Sequence, residues 1–290
     1  MSDLVDEPIS HVSADIPERI YRHSLLTRIT HVFNALALAI LLLSGLNIFM
    51  AEPALYLGQA AHFANPTFSI GAFHGPGGHL MGVTQLGPFS VDTTGVLGVS
   101  ANDHGVPIPR AFPTWLTLPS TRDLATARHW HFFFAWVLVL NGATYLLGNL
   151  RARHIQKDLW PSLKDLRAIP QSIIDHALLR HAVGAEAIPY NVLQKLAYLA
   201  VILVLVPGMV ITGLAMSPGM DAAFPPLTFV LGGRQTARLL HFVFAWSLVG
   251  FFAIHMIEMV LAGPINEITS IITGWYRVPK PHAPAKGDAA

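Results

Sequence analysis

Four long apolar runs, at about 30–50, 129–149, 192–216 and 238–261, constrain this chain more than any other feature. Crossing the hydrocarbon of a bilayer as a helix takes about 20 apolar residues. Within that hydrocarbon only helices and closed barrels satisfy every backbone N–H and C=O. The 290 residues are 52% hydrophobic and 12% charged, which marks a polytopic membrane protein rather than a soluble globule. The expected fold class is all-α: a four-transmembrane-helix up-down bundle with a long periplasmic loop and short interfacial helices.

The basic residues orient that bundle. Residues 1–29, 150–195 and 262–290 hold thirteen of the 18 Lys and Arg, and the other side holds only Arg110, Arg122, Arg128, Arg234 and Arg238. The positive-inside rule then puts both termini in the cytoplasm and segment 51–127 in the periplasm. Residues 1–29 are polar and lack a small-residue cleavage site after a short apolar core, so they read as a cytoplasmic segment, not a cleaved signal. A transmembrane domain follows over 30–278, and 279–290, rich in Pro, Ala and Lys, reads as a disordered tail. The Gly- and Pro-rich steps of 51–127 exclude long helices but leave room for short strands and turns. A segment of that length is expected to be a docking surface. In the cytoplasmic loop 150–191, Leu163, Leu166, Ile169, Ile173, Ile174 and Ala177 recur at helical spacing between Lys and Arg, as in a helix lying along headgroups. Ile265, Ile268 and Ile272 mark a second interfacial helix, from Pro264 to Trp275.

Two spans open on related segments. Arg128–Trp136 and Arg238–Trp246 share Arg, His, Phe, Phe, Ala and Trp at the same offsets, and a third Arg-x-x-His, Arg28 to His31, opens the first span. His255 follows His241 by fourteen residues. That step advances about 1,400°, within about 40° of four whole turns, and rises about 21 Å. His241 and His255 therefore share one helix face near opposite membrane surfaces. Ionisable groups at such depth are costly and mark function. Topology pairs His131 with His241 at the outer level and His31 with His255 at the inner one. Each pair has the arrangement of axial ligands on a porphyrin iron, giving two stacked haems. The chain has no cysteine, which excludes thioether-linked haem and thiolate-held clusters.

Arg28, Arg128 and Arg238 each lie one turn nearer the surface than a histidine, placed for forked contact with haem propionates, or else as snorkelling anchors. Gly45 and Gly213 give a flat macrocycle access to the backbone, or permit close helix packing. They sit in the related sequences Ser44-Gly45-Leu46 and Thr212-Gly213-Leu214, which suggests two helix-pair units. His129, two residues from His131, faces away and corresponds to Leu239, so it is left out of the ligand set. His62, His74, His79 and His104 of the outer segment lack helical register or metal-type spacing and read as solvated or partner-facing, as do His154, His176 and His181 on the inner side.

These marks resemble the prokaryotic di-haem cytochrome b group: membrane subunits of formate dehydrogenases, nickel–iron hydrogenases and thiosulfate reductases, with bacterial cytochrome b561 proteins as cousins. The resemblance covers about 20–50 and 120–278 and adds Tyr190-Asn191-Val-Leu-Gln194-Lys195 at the entrance to span three. It implies two haem b groups and a quinone site in which Asn191 contacts a quinone carbonyl with Gln194 nearby. Formate dehydrogenase subunits have glycine where this chain has Leu193, and a helix N-cap is the other reading of Asn191. Glu258, one turn beyond His255, is read as a proton relay or as a plain interfacial carboxylate. The implied function is electron transfer between the quinone pool and a periplasmic, molybdopterin-type oxidoreductase, in the bacterial inner membrane. Its other partner is membrane lipid; no nucleic acid is expected, because the net charge of +1 is distributed by membrane side. The protein positions the cofactor, and no catalytic side chain is assigned. Two rival readings remain: a stand-alone cytochrome b561-type quinone-linked oxidoreductase acting on a small oxidant such as superoxide, and a histidine-based proton or metal transporter, for which Pro207-Gly208 is the one break in span three.

Overall fold

The computed structural model describes residues 18–75, 77–102, 104–152, 159–178 and 189–278. The expected tail and residues Arg153, His154, Lys157, Arg180 and His181 lie outside the described residues. Four helices are long and apolar enough to cross a membrane: Leu25–Phe49, Leu124–Arg151, Val192–Ala215 and Arg234–Ala262. Three begin about a turn earlier than hydropathy suggests, two of them on polar residues outside the apolar run that cap the helix. Ser24 accepts from the Thr27 amide at 3.2 Å and opens α1 (Leu25–Phe49). Asp123 accepts from the Thr126 amide at 3.1 Å and opens α2 (Leu124–Ala152). The third span is composite: α5 (Val192–Ala200), a π-helical segment at Val201–Leu205, and α6 (Val206–Ala215). Pro207 has no N–H to give, and a widened turn just before it absorbs the missing bond. The fourth span is α9 (Arg234–Ala262).

Packing groups the helices in two pairs, α1 with α2 and α6 with α9. Each pair closes on a glycine. A Cβ on Gly148 would stand 2.1 Å from the Leu26 side chain, and one on Gly208 would stand 2.7 Å from Phe244. Asn141 of α2 donates to the Thr30 carbonyl at 2.8 Å and to Asn34 Oδ1 at 2.6 Å, a polar tie at membrane depth.

The segment after α1 adds to the helical bundle a set of short strands, for which its Gly- and Pro-rich steps leave room. Strands β2 (Ala54–Leu55), β3 (Phe68–His74), β4 (Leu80–Leu86) and β5 (Phe89–Asp92) form an antiparallel sheet in that order, and β6 (Val99–Ala101) pairs with β7 (Pro107–Pro109). Short strands separated by Gly and Pro carry too weak an apolar period to stand out in a sequence. The hairpin lies backbone to backbone on the sheet: a Cβ on Gly98, at φ 78°, would meet the Gly71 carbonyl at 2.3 Å. This β unit is not a free loop. Leu46, Phe49 and Met50 at the end of α1 share a core with Leu55, Ile70, Ala111 and Phe112, and Leu239 and Phe242 of α9 pack against it. Phe49 stacks on Phe242 at 5.0 Å, and Phe68 reaches the same ring at 5.2 Å. Buried Arg110 donates to the Phe112 carbonyl at 2.8 Å and to Thr117 Oγ1 at 2.7 Å. Loop residue Gly58 accepts from the Gln235 and Thr236 amides at 3.0 and 3.2 Å, satisfying the open N-terminus of α9.

On the same face, α7 (Pro218–Ala223) and α8 (Pro225–Val230) link α6 to α9. The opposite face carries α3 (Leu163–Arg167), α4 (Ile169–Ala177) and α10 (Pro264–Thr273) where the periodicity places interfacial helices. There β1 (Arg19–Tyr21) pairs antiparallel with β8 (Trp275–Arg277), so the segment before the first span is tied to the one after the last.

Candidate cofactor site

His131 on α2 and His241 on α9 face each other with ring centres 6.3 Å apart and planes inclined by 59°. His31 on α1 and His255 on α9 repeat the arrangement at the other end of the bundle, at 6.4 Å and 59°. A metal–imidazole bond of about 2.0 Å, with about 1.15 Å more from that nitrogen to the ring centre, puts two imidazoles in trans about 6.3 Å apart. Both pairs therefore have the span of a bis-histidine metal clamp. Among the described residues no group of three or more His, Asp or Glu converges as a metal site. This donor set fits a haem: His131 with His241, and His31 with His255, would hold the iron, and the macrocycle would supply the remaining ligands.

The pair near the β unit has a further layer. Ser44 Oγ lies 3.1 Å from His131 Nδ1, and Thr212 Oγ1 lies 3.0 Å from His241 Nδ1. Each hydroxyl is fully buried and donates its own proton one helical turn back, Ser44 to the Ile40 carbonyl and Thr212 to the Gly208 carbonyl, both at 2.6 Å. Each must then accept from Nδ1–H. That fixes the tautomer and leaves the Nε2 lone pair for a metal. The glycines next in sequence serve the same rings. A Cβ on Gly45 would stand 3.2 Å from His131 Cε1, and one on Gly213 would stand 3.5 Å from His241 Cε1. Their immediate effect is to seat the imidazole edge against the helix. The related Ser-Gly-Leu and Thr-Gly-Leu sequences carry this signal: their glycines read as macrocycle-facing or packing positions, while nothing in the spacing gives the hydroxyls a role.

The arginines divide. Arg28 donates from Nε to the Ile271 carbonyl at 3.3 Å and from a terminal nitrogen to Ile272, both in the last turn of α10, where carbonyls lack helical partners. Arg238 donates to the Ala54 carbonyl at 2.9 Å and to the Glu52 carbonyl, holding the β unit to α9. Arg128 is exposed, its guanidinium 5.5 Å above the Phe132 ring.

At the opposite face, Asn191 caps α5. Its Oδ1 accepts from the Leu193 amide at 2.9 Å and from Ser172 Oγ of α4 at 2.6 Å, and Gln194 closes the capping box. Aromatic rings lead from there toward the second histidine pair. Tyr190 meets Tyr198 at 5.7 Å, Tyr198 meets Phe251 at 6.3 Å, and Phe251 lies parallel to the His255 ring at 5.8 Å. Arg22 sits between the Tyr190 and Tyr276 rings. Burial pushes the Glu267 carboxyl above its ordinary range, and the nearby Arg22 offsets part of that. His176, set aside in the sequence reading, comes within 3.9 Å of Glu258 through Nε2, while its Nδ1 is 2.8 Å from the Ser172 carbonyl. No spacing within the chain announces that meeting, because it joins α4 to α9.

The family model described as prokaryotic cytochrome b561 matches residues 22–274. A protein of Azospira oryzae named "Putative protein-methionine-sulfoxide reductase subunit YedZ1" is 34% identical over 148 residues, 51% of this chain and 71% of that protein. No solved structure matches significantly.

Proposed function

The chain belongs to the prokaryotic cytochrome b561 family, and from that premise we propose that this membrane haem protein holds two haem b groups and carries electrons between membrane quinone and a redox partner. His131 and His241 would hold one iron, His31 and His255 the other. The carrying observation is the ring separation, 6.3 and 6.4 Å, in two pairs at opposite ends of one bundle. When bound, each haem supplies one-electron transfer; what the chain supplies is ligand placement and a dry, shaped setting. Arg128 is placed to meet a propionate in water, while Arg28 and Arg238 keep α10 and the β unit seated around the pockets.

Quinone is assigned to the face where α4 and α5 meet, with the Asn191 Nδ2 group donating to a carbonyl oxygen and Gln194 bracing it. Quinol oxidation releases two electrons to the haems and two protons. Glu258 and His176 form a carboxylate–imidazole pair suited to take those protons to water. The β unit suits a partner on the other face, which we take to be the periplasm: it is fixed to α1 and α9 and exposes Phe63, Phe73, Phe89 and Trp115. The relative's name, a reductase subunit, favours an oxidoreductase partner over direct reaction with a small oxidant, and a molybdopterin-type enzyme is our assignment. Electrons crossing the bilayer would couple turnover to the membrane potential, at about 2.3 kcal/mol per charge per 100 mV.

The test is electron crossing in proteoliposomes with the β unit outward. Lipid-soluble quinol should reduce the haems, and a membrane-impermeant oxidant added outside should reoxidise them. Haems that quinol leaves oxidised would overturn the proposal.

A further inference from the structure

We infer that Ser44 and Thr212 are positioning residues that set the reduction potential of the haem near the β unit, and that the chain treats its two histidine pairs unequally by this means. The inference rests on the proposed bis-histidine reading and deepens it. Each hydroxyl contacts the imidazole of the neighbouring helix within its own helix pair: Ser44 of α1 holds His131 of α2, and Thr212 of α6 holds His241 of α9. Both ligands of one iron thus carry the same device. Among the described residues no hydroxyl bonds to His31 or His255, and His255 lies instead against the parallel ring of Phe251.

The chemistry follows from the hydrogen-bond direction. An Nδ1–H donated to an oxygen leaves the imidazole more electron-rich at Nε2, which favours the oxidised metal and orients the ring. The hydroxyls are polarised toward accepting, because each donates to a carbonyl at 2.6 Å in a chain of cooperative bonds. Removing a hydroxyl takes away the acceptor that Nδ1–H donates to. Gly45 and Gly213 continue to seat the ring edges. The haem should stay bound while its affinity for an electron rises.

The experiment is a potentiometric titration of haem absorbance in the full-length protein, comparing wild type with Ser44→Ala, Thr212→Val, the double variant, and the hydroxyl-keeping Thr212→Ser. The expected result is unchanged haem per chain and an upward move of one potential only. At fixed potential the reduced-to-oxidised ratio of that haem rises about threefold per hydroxyl and about tenfold in the double variant, about 59 mV for one electron. Thr212→Ser stays at the wild-type value. A double variant that drops one haem while Thr212→Ser keeps both overturns the potential-setting role and leaves the two hydroxyls as binding residues only. Two bound haems with unmoved potentials, or both potentials moving together, overturn this inference alone. A wild-type chain without two low-spin haems overturns the bis-histidine reading and this inference with it.

Discussion

Replacing Asn191 by aspartate separates the two roles of that side chain. Its oxygen caps α5 and accepts from buried Ser172, contacts of 2.9 and 2.6 Å. Alanine would remove both: about 1 kcal/mol for the cap, and about 1–3 kcal/mol for leaving the Ser172 hydroxyl without its acceptor. Aspartate keeps an oxygen in place for both donors, and a negative charge at a helix N-terminus is worth about 0.3–1 kcal/mol. Asn191→Asp should therefore unfold no earlier than wild type, while Asn191→Ala unfolds earlier. What aspartate lacks is the Nδ2 donor. Losing a hydrogen bond of about 1–1.5 kcal/mol to a quinone carbonyl slows quinol-driven haem reduction roughly tenfold. Rapid-mixing measurement of haem reduction by quinol, beside thermal unfolding, reads both quantities. An aspartate variant reduced at the wild-type rate would refute the quinone contact and leave Asn191 as a cap only.

Gly208→Ala should destabilise the α6–α9 pair by about 1–3 kcal/mol through overpacking against Phe244, whereas Gly142→Ala, with nothing within 4 Å of its added Cβ, should be neutral in the same thermal assay. Phe112→Ala, at a position 1% exposed in the core beneath the β unit, should cost about 3–5 kcal/mol. It should open 51–127 to protease before haem is lost; simultaneous loss of both would count against a separately anchored β unit. Burial raises the Glu267 carboxyl above its ordinary value of 4.5, so the folded state binds the proton more tightly than the unfolded one. Stability should then fall as pH rises through 4.5 and up to the folded value. Glu267→Gln should raise the unfolding temperature at pH 7 and lose that advantage below 4.5, and an equal gain at both would contradict the burial argument.

What could be read from the chain alone follows the reach of helical periodicity. Fourteen residues between His241 and His255 fix face and depth at once, so the level of each imidazole follows from the sequence. The same periodicity found α4 and α10. It was silent on 51–127, where strands of two to seven residues are broken by glycine and proline. The Arg-x-x-His spacing sets only the height of Arg28 and Arg238; that their forks meet carbonyls of α10 and of the β2 region is decided by contacts more than 180 residues apart in the chain. Ser44 and Thr212 were visible as a repeat, yet a repeat does not say which neighbouring side chain a hydroxyl faces. His176 and Glu258 meet only because α4, packed on α5, brings one side chain to the end of α9.

The central claim is that four histidines form two separate clamps, and haem stoichiometry in single His→Ala variants tests it most directly. Pyridine haemochrome quantification of the four purified variants should give about half the wild-type haem in each. Reduced spectra should sort them into two matching couples, His131→Ala with His241→Ala and His31→Ala with His255→Ala. Four variants that keep the full haem content, or spectra that couple His131 with His31, would contradict the account.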